Sequence, residues 1–130
     1  MLQTHKNIDE RFSGRCLDLI PGKRSLVSLR TEDFMRTDEK GLVHGGFTFS
    51  VADYAAMTAV NHPYVVLAKA DVKFTAPVRV GDTLIAKAHV YRHIKNRYHV
   101  KVEVFKDEKV VLVGSFLCIV LESHVLDLGK

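Results

Sequence analysis

The stretch Gly45 to Val60, GGFTFSVADYAAMTAV, decides how this chain folds. Wound as a helix, it places Phe47, Val51, Tyr54 and Thr58 on one face and Phe49, Ala52, Ala56 and Ala59 on the others. A helix that is apolar nearly all round has to be buried. Asn61-His62-Pro63 ends it, because the residue before a proline disfavours the α region and Asn tolerates a helix C-terminus. Inside the stretch, Asp53 is the only ionisable group apart from the Tyr54 phenol. An unpaired buried carboxylate costs several kcal/mol, comparable with the net stability of a small domain. Asp53 therefore predicts either a partner or a chemical purpose.

The flanks read as strands. Gly14 to Thr31 (GRCLDLIPGKRSLVSLRT) is two alternating segments joined by Pro-Gly, a β-hairpin pattern. Glu32 to Val43 is polar apart from Phe34 and Met35, which predicts a loop with one apolar anchor. Beyond the helix, Val65 to Thr75, Asp82 to Ile94, Arg97 to Lys106 and Lys109 to Glu122 are long and rich in Val and Ile. In the third of these, Tyr98, Val100, Val102 and Val104 alternate with His99, Lys101, Glu103 and Phe105, one apolar face against one mostly wet. The connections are too short for parallel crossovers. The expectation is an α+β chain in which an antiparallel sheet of about six strands curls around one central helix. One open sheet cannot cover a helix on every side, so a homodimer is expected, or a homotetramer made of two such dimers.

At 130 residues, 47% hydrophobic and 26% charged, the chain reads as a single domain, 1–130, of ordinary globular composition. No stretch is long and apolar enough for a membrane span, and Met1 to Arg11 has no apolar leader core. The expected setting is the cytoplasm, with no membrane partner. Cys16 and Cys118 lie in apparent strands without a CxxC pattern and read as reduced thiols. The formal charge of +4 and pI near 9.1 allow an anionic partner. Aromatic residues are not interleaved with the basic ones, which argues against nucleic acid. Alternation puts His89 and His93 on one strand face with no carboxylate or thiol to complete a set, so no metal and no other cofactor is expected.

The pattern resembles the hotdog fold over Gly14 to Glu122, and His44-Gly45-Gly46 followed by Asp53 resembles the HGG-x6-D signature of the phenylacetate-pathway (PaaI-like) acyl-CoA thioesterases. Asp71 to Asp82 (DVKFTAPVRVGD) is similar to the strand, turn and Gly-Asp segment that follow the helix in hotdog proteins. The resemblance implies hydrolysis of an acyl-CoA, with Asp53 as general base or nucleophile, the Gly45 N–H polarising the thioester carbonyl, and His44 and Gly46 shaping the loop. It implies that Phe47, Phe49 and Met57 bear on the acyl pocket, and that Lys69, Lys73 and Arg79 lie near the coenzyme A nucleotide. Elementary physics supports the first two roles. A helix start offers unpaired N–H groups and a positive dipole end, and a carboxylate in an apolar setting has a raised pKa.

Gly45 and Asp53 are eight residues apart on one helix, hence ~12 Å along its axis. Both must come within ~3 Å of one reacting centre. The working site is therefore expected to combine Asp53 of one subunit with Gly45 of another. Two departures from the family pattern stand out: Asp38 occupies the place of an Asn six residues before the motif, and Val65-Val66-Leu67-Ala68 holds no Ser or Thr to orient water, leaving Ser50 or Thr58 as substitutes. The stretches GRCLDLIPGKRSLVSL and AKADVKFTAPVRVGDTLIAKAHV also resemble the acyl-CoA-sensing hotdog domain of bacterial repressors of fatty-acid synthesis. Those sensors bind malonyl-CoA without hydrolysing it, have an amide in the place of Asp53, and carry a helix-turn-helix for which Met1 to Ser13 is too short. The expectation is an enzyme, the alternative a non-catalytic acyl-CoA-binding or sensing module.

Overall fold

Pro21-Gly22 turns the chain between β1 (Arg15–Ile20) and β2 (Arg24–Arg30), with Gly22 at φ +74°, which only glycine adopts without strain. The computed structural model describes residues 1–129. A short 3-10 turn, Asp33–Met35, follows, and then one long helix, α2 (Gly45–Val60). Four strands complete the sheet: β3 (Val65–Phe74), β4 (Thr83–Ile94), β5 (Arg97–Lys106) and β6 (Lys109–Val120). The order is β1-β2-β4-β5-β6-β3 with every pairing antiparallel, a six-stranded hotdog sheet around one helix.

Period-two alternation carries the core. Leu84, Ala86 and Ala88 of β4, Val100, Val102 and Val104 of β5, and Leu112, Phe116 and Cys118 of β6 all face α2 and are almost wholly buried. On the helix, Ala52, Ala55, Ala56 and Ala59 are fully buried, and their small side chains let the sheet close on the backbone. Gly114 of β6 has the same role, since a Cβ there would stand 2.5 Å from Val72 Cγ1 and 3.0 Å from the Asp71 carbonyl oxygen. Met35 is the single anchor of the loop at 0% exposure, while Phe34 stays 49% exposed.

Two features depart from the expectations. First, β4 carries a bulge between Val90 and Arg92, and β3 another between Leu67 and Lys69. The extra residue, Tyr91, reverses the phase of β4. His89 therefore pairs with Lys101 on the outer face, whereas His93 pairs with Tyr98 and stacks on its ring at 3.8 Å. The two histidines do not share a face, because a bulge shifts alternation by one residue.

Second, the open side of α2 is not left to a partner. The N-terminal segment, including a short helix α1 (Glu10–Ser13), runs along it. Asn61, the left-handed C-cap of α2 at φ +55°, accepts from the Gln3 N–H at 2.6 Å and donates through Nδ2 to the Met1 carbonyl at 2.8 Å. Further along, Ser13 Oγ bonds Ser50 Oγ at 2.7 Å and the Phe12 ring stacks on Phe47. Among the described residues, no helix is long and apolar enough to cross a membrane.

Candidate active site

The start of α2 is held by the loop before it. Val43 N–H donates to the Val78 carbonyl at 2.8 Å and His44 N–H to the Met35 carbonyl at 2.9 Å, which fixes the angle at which the chain enters the helix. His44 is the N-cap, yet its ring makes no capping bond. It lies back over Gly46, where a Cβ would come 2.8 Å from Nε2, and edge-on to Phe47. The N–H groups of Gly45 and Gly46 have no acceptor among the described residues, as expected for the first turn of a helix. Two unengaged donors thus sit at the positive end of the helix dipole.

Phe74, the last residue of β3, stands on the other side of Gly45, with ring carbons 3.4 to 3.8 Å from where a Cβ would be. It is 54% exposed, an aromatic wall beside the amide. Reading the sequence missed it. Its only signal is its place at the end of the strand, just before Thr75-Ala76-Pro77.

Asp53 lies two helical turns further on. Its Oδ1 is buried and has no hydrogen-bond partner among the described residues. Burial alone raises the carboxyl from its ordinary value of 3.8 to about 6. The Cys118 thiol on β6 is pushed up to about 12, first by its own burial and then by the nearby Asp53 charge. Asp53 is therefore backed by the wall of β6 rather than by a cation. The side chains considered as helpers are engaged elsewhere. Thr58 Oγ1 donates to the Tyr54 and Ala55 carbonyls, Ser50 bonds Ser13, and Asp38 Oδ1 accepts from Lys40 and Leu42 N–H groups in its own loop.

The structure gathers His44, Gly45, Gly46 and Phe47 at the helix start, where Phe47 packs with Phe12 and Phe34. Phe49 is half-buried against Phe116, while Met57 is 1% exposed in the core and closed to a ligand in the single chain. Lys69 and Lys73 are exposed on β3, and exposed Arg79 sits on the turn after it, its backbone N–H donating to Asp82 Oδ2. Asp53 and Gly45 remain ~12 Å apart along one unbroken helix.

The sequence matches the model of the Thioesterase superfamily over residues 40–113. This chain belongs to the thioesterase superfamily. It is 52% identical to the uncharacterized protein PH1136 from Pyrococcus horikoshii, whose crystal structure superposes with a TM-score of 0.95 over 98% of this chain and 97% of that one. The transcription factor FapR of Caldanaerobacter subterraneus is 36% identical over 114 residues, 87% of this chain and 56% of FapR. A methylthioribose-1-phosphate isomerase of Aquifex aeolicus is 48% identical over 120 residues, 92% of this chain and 26% of the isomerase. The chain thus spans between a quarter and just over half of these curated relatives. The E. coli PaaI protein from the phenylacetic acid degradation operon, at 23% identity and TM-score 0.78 over 87% of this chain and 83% of its own, shares the superfamily fold.

Proposed function

We propose that this chain hydrolyses an acyl-CoA thioester to the free acid and coenzyme A. The observation that carries the reading is the buried, partnerless Oδ1 of Asp53, whose carboxyl titrates at about 6. A base tuned near neutrality and stripped of hydration is what proton abstraction from water needs. Asp53 takes a proton from water as the oxygen adds to the thioester carbon. The developing oxyanion is held by the Gly45 N–H at the helix start. When the C–S bond breaks, the carboxylic acid returns the proton to the departing thiolate. The alternative route, direct attack by Asp53 to give a mixed anhydride, uses the same groups.

The ~12 Å between the two groups on one helix calls for a site built from two copies. β3 lies at one edge of the sheet, and an unpaired edge strand is a template for a second chain. Pairing two copies there brings Asp53 of one toward the helix start and Phe74 of the other. His44 and Gly46 shape that helix start, Phe47 and Phe49 border the acyl chain, and Lys69, Lys73 and Arg79 offer charge to coenzyme A phosphates. Met57 acts only through packing behind them.

The similarity to FapR favours a second reading, an acyl-CoA-binding module without turnover. Assays of coenzyme A release from short, aromatic and long acyl-CoAs separate the two. Release above the uncatalysed rate supports the hydrolase, and tight binding of every acyl-CoA without release assigns the chain to the binding class.

A further inference from the structure

A cavity of about 280 Å³ opens on the outer face of the sheet, the side away from α2, and is lined by Lys69 and Asp71 of β3, Ser115 and Leu117 of β6, His99 of β5 and Tyr91 of β4. Its existence depends on both bulges. The one after Leu67 turns Lys69 outward opposite Leu117, and the one after Val90 adds Tyr91 as an extra residue beside His99. Bulges re-aim side chains in this way and recur beside binding sites. Tyr91 is 53% exposed, with its ring tilted against His99 at 6.0 Å.

None of the five polar side chains makes a hydrogen bond or salt bridge within the described residues. A flat aromatic pair at one end, an ammonium at the other, and a hydroxyl and a carboxylate between them form a graded set of unengaged groups. Strands two places apart in the sheet are roughly 10 Å from each other. That is the distance from the aromatic pair to Lys69, and it is the span from the base of a mononucleotide to its 5′ phosphate. The volume lies at the lower end of small-ligand sites.

We propose that this outer-face cavity binds a mononucleotide, with its base on Tyr91 and His99, its phosphate on Lys69, and its sugar hydroxyls on Asp71 and Ser115. A base stacked on an aromatic face contributes sequence-tolerant attraction, and the ammonium meets the phosphate as a point charge. The site stands on the opposite side of the sheet from Asp53 and does not depend on hydrolysis. The same chemistry belongs to a free nucleotide and to the nucleotide end of coenzyme A.

The test is equilibrium binding of AMP, of adenosine 3′,5′-bisphosphate and of intact coenzyme A to the full chain, compared with Tyr91→Ala and Lys69→Glu, with circular dichroism to verify folding. The expected result is saturable binding weakened at least tenfold in each folded variant. Competition by intact coenzyme A for the AMP site, weakened alike by both substitutions, assigns the cavity to the coenzyme's nucleotide end; AMP binding without that competition assigns it to a free nucleotide. Absence of saturable binding of all three probes up to millimolar concentration overturns the proposal. So does unchanged affinity in both variants, or a change confined to oligomeric mass, which would make the cavity a contact between copies. Loss of coenzyme A release with AMP binding retained would count against the hydrolase reading alone.

Discussion

The ring of Phe74 stands against Gly45, 3.4 to 3.8 Å from the point where a side chain on that residue would begin. The contact makes Gly45 a place where the backbone is reached from one side only, and where an added methyl would fill the approach. Gly45→Ala is expected to fold, because alanine is favoured over glycine in a helix by about 1 kcal/mol and the nearest neighbour is an exposed ring. Coenzyme A release is expected to fall at least tenfold, with the melting temperature held within a few degrees. Phe74→Ala in the Gly45→Ala background should recover part of the rate if the obstruction is steric.

Asp53→Asn tests the carboxylate with the shape kept. Loss of a general base lowers turnover by about 10² to 10⁴, while binding of a non-hydrolysable acyl-CoA analogue should change by less than threefold. Retained turnover would remove Asp53 from the chemistry.

The raised carboxyl also has a pH signature. For proton abstraction Asp53 must be ionised, so kcat/KM is expected to fall on the acid side with an apparent pKa of about 6. Stability moves in the opposite sense. The folded-state value lies above the ordinary 3.8, so the native state holds the proton more tightly than the unfolded chain, and stability is lost as pH rises from about 4 through about 6. The full effect is about 3 kcal/mol. Denaturant titrations should find Asp53→Asn more stable than the parent by up to that amount at pH 7.5, with the gap closing toward pH 4.

Much of the fold was legible because its signals are local. The all-round apolar run Gly45 to Val60 became α2 to the residue, and Pro21-Gly22, Lys95-Asn96 and Asp107-Glu108 became the turns they resemble. The bulges were not legible, since the extra residue at Tyr91 is defined by the partner strand and by nothing in β4 itself. Hence His89 and His93 were placed on one face and stand on two. The strap over α2 escaped for a similar reason: Met1 to Gln3 has no periodicity, and its hold comes from the amide of Asn61, nearly sixty residues away. In the site, Gly45 and Asp53 could be read from spacing on one helix. Phe74 could not, because only tertiary folding brings the end of β3 to the start of α2.

The strap can be probed through that amide. Asn61→Gly keeps the left-handed backbone and removes both bonds to the N-terminal segment. A loss of about 1–3 kcal/mol is expected, together with faster hydrogen exchange at Gln3. Asn61→Ala should lose about 1 kcal/mol more, since its Cβ disfavours the left-handed region. Equal stability of the two variants would mean that the backbone conformation, rather than the side-chain clamp, dominates.

The separation of Asp53 from Gly45 along α2 leads to a complementation test. If each site takes its carboxylate from one chain and its amide from the other, a mixed dimer of Asp53→Asn and Gly45→Ala holds one doubly impaired site and one site with both native groups. Two nearly inactive proteins, mixed at equal concentration and allowed to exchange subunits, should then regain about a quarter of parental activity, because half of randomly formed dimers are mixed and each has one working site. If both groups served one site within a single chain, every site in the mixture would keep one defect and no activity would return. Measuring coenzyme A release before and after exchange, with mixed dimers counted by mass spectrometry, decides between the two arrangements.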